Sequence, residues 1–216
     1  MKNNFKIGFL ALSLCFVFSA QSQIKYGVKG GFSASNMSSV NELTDHMDVY
    51  PDFDTKFKPG FHLGAMMQMT FEENFFLQPE LLFSNQGLKT NEMNGDNSKT
   101  FNVNYLKLPV YTGLKIKTGT NLDILLGVGP YFAYGLNGAD EPFSFSGDGS
   151  KLKLKRFDMG IGLMGGVQCE KIQIALGYEF GIIDAVTKDN WDRIKQLGML
   201  PSVYHQNVKI SVGYLF

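Results

Sequence analysis

The sequence is nearly without cysteine: Cys15 and Cys169 are the two among 216 residues. If the first segment is removed, as argued below, only Cys169 remains, and no intrachain disulfide can staple the fold. Charge of one sign is also missing. Twenty basic residues balance 20 acidic ones, and charged residues make up 19%. That argues against a nucleic-acid binder, which needs a clustered basic face. After the first 22 residues no apolar run approaches the roughly eighteen residues of a membrane helix. What the chain does have is Phe (19) and Gly (24). A disordered chain would be poor in aromatics, and a coiled coil would be rich in Ala, Glu, Lys and Leu. The length suits one domain.

The first residues have the layout of a secretory leader. Lys2 and Lys6 form a short basic start, Ile7 to Ala20 is apolar and uncharged, and the small residues Ser19, Ala20 and Ser22 follow. Such a run is too short for a stop-transfer helix and ends in a cleavage-type site. Residues 1–22 are expected to be a cleaved signal peptide and 23–216 the single domain, with the mature chain starting at Gln21 or Gln23. Lipidation at Cys15 is the weaker reading, because Leu14 precedes it and apolar residues continue after it. Loss of Lys2 and Lys6 leaves 18 basic against 20 acidic residues, about −2.

Alternation dominates the rest, and it marks strands with two unlike faces. In the last segment Val208, Ile210, Val212, Tyr214 and Phe216 alternate with Asn207, Lys209, Ser211 and Gly213, Leu215 being the apolar exception. Residues 172–182 repeat the pattern. Six more strands are read at 26–35, 60–71, 75–86, 101–117, 122–134 and 157–169. Most exceed the usual soluble strand of about five or six residues and suit a tilted bilayer crossing of about nine to eleven. Short links (72–74, 118–121, 170–171) alternate strictly with long polar ones (36–59, 87–100, 135–155, 183–205). These features predict an all-β fold, an eight-stranded antiparallel up-and-down transmembrane barrel with both termini periplasmic.

The minority face carries Lys29, His62, Gln68, Gln78, Glu80, Lys107, Asp123, Asp158, Gln168, Gln173, Glu179 and Lys209, interleaved with glycines. Small residues and mixed charges fit the tight interior of eight strands. Buried charges must be paired, so Lys29, Lys107 and Lys209 are expected to form a lumen network with Glu80, Asp123, Asp158 and Glu179. A narrow ion path is the alternative. The other face is almost free of charge. Its aromatics gather at the ends: Tyr26, Phe71, Phe75, Tyr214 and Phe216 at one, Phe61, Phe83, Tyr134, Phe157 and Phe180 at the other, as interfacial girdles do.

Other patterns yield to plainer readings. Gly160-Ile-Gly-Leu-Met-Gly165 matches a dinucleotide fingerprint letter by letter, but that motif opens a helix, and here a strand surrounds it. His62 is expected to point inward near the loop-side rim, while His46 and His205 are read as loop residues without a metal-ligand spacing. Ser84 and Glu80 could join a histidine as a rim hydrolase. Asp48, Asp52 and Asp54, like Asp140, Glu141 and Asp148, lack the EF-hand spacing and read as solvated loops. No catalytic residue, cofactor or metal is expected.

Several stretches resemble the outer-membrane β-barrel proteins of Gram-negative bacteria, the group that includes PorT-like proteins. They are Tyr26-Gly-Val-Lys-Gly-Gly-Phe32, Phe57-Lys-Pro-Gly-Phe-His-Leu-Gly64, Leu77-Gln-Pro-Glu-Leu-Leu-Phe83, Tyr105-Leu-Lys-Leu-Pro-Val110, Gly127-Val-Gly-Pro-Tyr131, Gly177-Tyr-Glu-Phe180 and Gly213-Tyr-Leu-Phe216. The resemblance implies outer-membrane lipid as surroundings and a terminal Phe216 read by the insertion machinery. Its PorT-like members are linked to protein secretion. The expected function is a non-enzymatic barrel acting through its loops as an anchor, adhesin or component of an envelope or secretion assembly, with an envelope protein as further partner and no nucleic acid. The alternatives are an exported soluble lipocalin-like barrel, which would be apolar inside and whose Trp would sit in an early strand rather than at loop position 191, and, last, the rim lipid hydrolase.

Overall fold

A computed structural model describes residues 23–39, 55–71, 74–91, 98–119, 121–138, 143–144, 152–153, 155–183 and 203–216. Eight long strands follow one another: β1 (Gln23–Ser39), β2 (Lys58–Phe71), β3 (Phe75–Asn91), β4 (Ser98–Lys117), β5 (Leu122–Gly138), β6 (Phe157–Cys169), β7 (Ile172–Gly181) and β8 (Val203–Leu215). Each pairs antiparallel with its sequence neighbours, and β1 pairs with β8, so the sheet closes and has no edge. Closure satisfies the backbone hydrogen bonds that lipid cannot.

The register fixes the shape. Paired residues lead around the wall from Thr70 through Phe76, Gly113, Gly127, Met164, Gly177, Lys209 and Ser33 to Gly60. The circuit returns to β2 ten residues from its start, and such a stagger requires strands tilted about 35–45° to the axis. With eight strands the interior is just wide enough for side chains to fill.

The expected strands all form, and six run further toward the long links. β3 and β4 stay paired out to Asn91 opposite Ser98, so the segment 87–100 read as a loop begins and ends as a hairpin. Thr55 and Lys56 pair with Thr90 and Lys89 beside it. β1 reaches Ser39, and β5 reaches Gly138 past a bulge near Tyr105. β8 begins at Val203, which places His205 in a strand opposite Met37 rather than in a loop. Paired backbones continue where the alternation fades because a ladder outside the bilayer no longer needs one apolar face. The turn between β6 and β7 is two residues, Glu170 and Lys171, with Glu170 at φ 50°, the left-handed geometry that two-residue hairpins use.

Three prolines interrupt the wall in a row. Pro79, Pro109 and Pro130 lie on β3, β4 and β5. The ladder skips Met67 and Gln68 against Gln78 and Pro79, then Glu80 and Leu81 against Leu108 and Pro109, then Val110 and Tyr111 against Gly129 and Pro130. Each proline lacks the N–H that would bond to the preceding strand. Beside the seam, the carbonyls of Leu81 and Val110 stand where a Cβ on Gly64 or Gly129 would be, so these positions admit only glycine.

Residues 1–22 (the leader and Cys15), His46, Trp191 and the six loop acids named above lie outside the described residues.

Candidate functional site

The strand alternation divides the side chains strictly. No outward-facing residue of the eight strands whose side chain is described carries a charge. Phe32 is 74% and Leu176 61% exposed, and Ile161, Leu163, Ile174, Ile210 and Val212 are exposed with them. The aromatics expected in two rings face outward as well. Phe61 and Phe83 lie 6.1 Å apart near the loop end, and Tyr214 meets Phe216 edge-on at 5.6 Å near the turn end. This is the face that meets lipid.

The interior is polar and closed. Near the turn end neutral amides link across it. Gln68 donates to Gln78 (3.0 Å), and Gln78 and Gln173 donate to each other's Oε1 (3.1 and 3.0 Å). Among them sits carbon that the sequence reading missed: Phe76, Tyr111, Leu125, Met164 and Ala175 form one buried cluster, and Leu215 is fully buried nearby. Phe76, Leu125 and Tyr111 share the parity of Gln78, Asp123 and Lys107 on their strands, so alternation carried the signal. Reading the interior face as polar throughout hides it.

The ionic residues follow toward the loop end. Lys29 donates to Glu80 (2.5 Å), which also accepts from Gln78 (2.8 Å). Glu179 accepts from Lys107 (2.5 Å), Lys209 (2.7 Å) and Asn207 (3.0 Å) and is 1% exposed. The Lys107 ammonium also lies 4.4 Å from the Tyr131 ring centre, a cation–π contact strengthened by exclusion of water. Asp158 accepts from the Tyr131 hydroxyl (3.2 Å), and Tyr105 packs edge-on against His205. Of the seven residues expected in one network, the structure brings Lys107, Glu179 and Lys209 together, joins Lys29 to Glu80, and sets Asp158 beside Tyr131. Asp123 stands apart at the turn end with Lys115 (3.2 Å). Lys115 was missed, although it has the parity of Lys107.

Glycines seat the large interior groups. A Cβ on Gly162 would strike the Tyr111 ring, one on Gly127 the Phe76 ring, and one on Gly177 the Lys209 stem. Gly160 and Gly162 of the fingerprint-like stretch therefore make room for Tyr131 and Tyr111, while Gly165 faces outward. The motif lies within β6, with no helix behind it to receive a phosphate.

The hydrolase candidates do not assemble. Ser84 is the Cα partner of His62, yet the His62 ring meets Ser211 Oγ at 2.9 Å, Ser84 accepts from Gln86, and Glu80 is occupied by Lys29. All three are buried. Among the described residues no group of three His, Cys, Asp or Glu side chains could hold a metal ion.

Comparison with known proteins is consistent with this geometry. Residues 19–186 match the family model "Outer membrane protein beta-barrel domain". The outer membrane protein OprG from Pseudomonas aeruginosa is similar in structure at 13% identity, with a TM-score of 0.53 over 91% of this chain and 97% of that one. Neisserial surface protein A aligns at 13% identity and TM-score 0.49, covering 88% and 97%. Ail of Yersinia pestis, solved with the heparin analogue sucrose octasulfate, aligns at 13% identity and TM-score 0.43, covering 90% and 99%. No curated protein sequence matches.

Proposed function

The chain belongs to the family of outer membrane protein β-barrel domains and is a bacterial outer-membrane protein; from that premise we propose that it is non-enzymatic and acts through its four long connections, as an anchor, adhesin or component of an envelope or secretion assembly. One observation carries this reading: the wall is closed and its interior is filled by buried side chains, and all four long connections leave the wall at one end. A soluble ligand-binding barrel would have the opposite faces, apolar within and polar without. We place the termini and short turns on the periplasmic side, as in barrels of this architecture. Residues 1–22 act as the cleaved leader. Phe216, whose N–H bonds to Tyr26 O (2.8 Å) and which is 68% exposed, serves as the terminal aromatic for the insertion machinery. The interior ion pairs hold the lumen shut rather than conduct.

The test is surface mapping joined to loop exchange. Epitope tags within 36–59, 87–100, 135–155 and 183–205 should be reached by antibody on intact cells, and tags at 118–121 should not; the reverse pattern overturns the orientation. Replacing the long connections with short hairpin turns should leave a heat-modifiable barrel in the outer membrane while abolishing crosslinks to envelope neighbours. Crosslinks that persist in the shortened barrel would refute a role carried by the loops.

A further inference from the structure

The rim at the loop end is not uniform around the barrel. On β1, β3, β4 and β8 the outward row turns to amides at that height: Asn36, Asn85, Asn104 and Gln206, with Asn85 donating to Asn104 Oδ1 (2.7 Å). On β5 and β6 it stays apolar through Leu136 and Phe157, and Asn137, next after Leu136, pairs with Asn104. Tyr134 and Leu136 remain exposed, Tyr134 is the partner of Phe157, and Phe157 and Phe132 rings lie 6.5 Å apart. Directly beyond Phe157 come Arg156, exposed, and Lys155, half-exposed, and the Arg156 carbonyl accepts from Gly135 N (2.7 Å), which ties this pair to the end of the wall. The sequence leading into them, Lys151-Leu-Lys-Leu-Lys-Arg156, carries four cations and no acid.

We propose that the loop-end rim of β5 and β6 docks the phosphorylated headgroup of an outer-leaflet glycolipid, with acyl chains against Tyr134, Leu136 and Phe157 and phosphate against Lys155 and Arg156. The site is continuous with the face that already meets lipid, and its charge is opposite to the lipid's. A lipid phosphate is the occupant this geometry suits, because two cations follow the apolar loop end of β6 directly in the chain, an order that matches a molecule with tails and an anionic head. A soluble polyanion would use the cations and gain nothing from the staves. The bound lipid would fix the height and rotational setting of this side of the barrel. In the cell the proposal rests on the orientation given above.

The experiment uses the full chain refolded into phosphatidylcholine nanodiscs containing either bisphosphorylated lipid A or the same lipid with both phosphates removed. Lipid retained on the protein is read by native mass spectrometry. The wild type should retain the phosphorylated lipid preferentially, and Lys155→Gln with Arg156→Gln should lower that preference about fivefold for each cation removed. Lys155→Arg with Arg156→Lys should keep it, and Lys171→Gln, at the turn end, should leave it unchanged. All four proteins must migrate as heat-modifiable barrels, which separates lost binding from lost folding. Equal retention of the two lipids by the wild type overturns the proposal, as does a Gln double variant that behaves like wild type. Binding of soluble heparin with the same residue dependence and no need of lipid assigns the patch to a glycan instead. Because the nanodisc exposes both faces, failure here is distinct from failure of the orientation, which only the cell-surface tags report.

Discussion

The two halves of the interior hold the same barrel closed by different means. The half near the turns is packed mainly with carbon and neutral amides, Phe76, Leu125 and Leu215 with Gln68, Gln78 and Gln173 bonded across them, and the Lys115–Asp123 pair lies at its end. The half near the long connections is built around charge, Glu179 between Lys107 and Lys209, with Leu82, Tyr105 and Tyr131 buried in the same half. A cut in the carbon costs the lost transfer energy and a cavity that neighbours close only in part, but it leaves no group in need of a partner. Charge is less forgiving, since each ion is stable in the interior only while its partner is present. The difference teaches that a polar lumen can be as deeply buried as a carbon one. Both halves are buried packings, and they differ in how they fail.

The largest expected effect tests the charged half. Glu179→Leu leaves two lysines facing each other in a closed interior and should cost about 3–5 kcal/mol, read by urea unfolding of the protein in lipid vesicles. The triple change Lys107→Met, Glu179→Leu, Lys209→Met should recover most of that loss, because a hydrophobic set of similar volume can replace a buried ion group. A single variant within 1 kcal/mol of wild type would mean that water enters this half and the two halves differ in solvation. The matching change in the carbon half is Leu125→Ala. It should cost roughly 2–5 kcal/mol by transfer and cavity terms, and no second substitution among charged residues should rescue it. Rescue by Glu179→Leu would show that the halves are coupled through Tyr111, whose ring touches both the apolar cluster and, at 5.4 Å, the Lys209 ammonium.

Between the halves the packing is steric. Gly162→Val places a branched side chain against the Tyr111 ring and should cost about 1–3 kcal/mol, with Tyr111→Leu in the same chain relieving part of it. No relief would mean that the glycine serves the strand's bend rather than the ring. This contact also shows how far the sequence could be read. Period-two alternation revealed all eight strands and which face is which, since every strand repeats the choice between lipid and lumen. It could not pair the lumen residues. Lys29 meets Glu80 from 51 positions away and Lys107 meets Glu179 from 72, and those partners are set by the ten-residue stagger, which no single strand encodes. The extension of the β3–β4 hairpin was hidden for a related reason: outside lipid a ladder needs no alternation. Lys115 and the interior tyrosines, by contrast, were legible by parity alone.

The smallest effect concerns the proline seam, which divides the wall as the two packings divide the interior. Pro130 faces lipid, so Pro130→Val changes no interior volume and keeps an apolar surface. It supplies one N–H directed at β4, where the register aligns position 130 with Val110. A restored ladder bond contributes about 0.5–1.5 kcal/mol net, and more where no water competes for the carbonyl. Against that, losing proline frees the unfolded chain by about 0.4–1 kcal/mol. The balance favours the variant by less than about 1 kcal/mol, which unfolding alone resolves poorly. Amide exchange resolves it better. In the wild type, amides beside the seam, such as those of Leu81 and Val110, should exchange faster than those of Ile174 and Leu176 in the uninterrupted β7 ladders. In the variant, protection should rise at Val110, Tyr111 and Gly129 and stay as it was at Leu81, because Pro109 still interrupts that rung. If protection rises equally at Leu81, the three prolines act as one cooperative weakness. If it rises nowhere, the wall bends at this place for the sake of Gly64 and Gly129, and the missing N–H groups are a consequence of the bend rather than its cause.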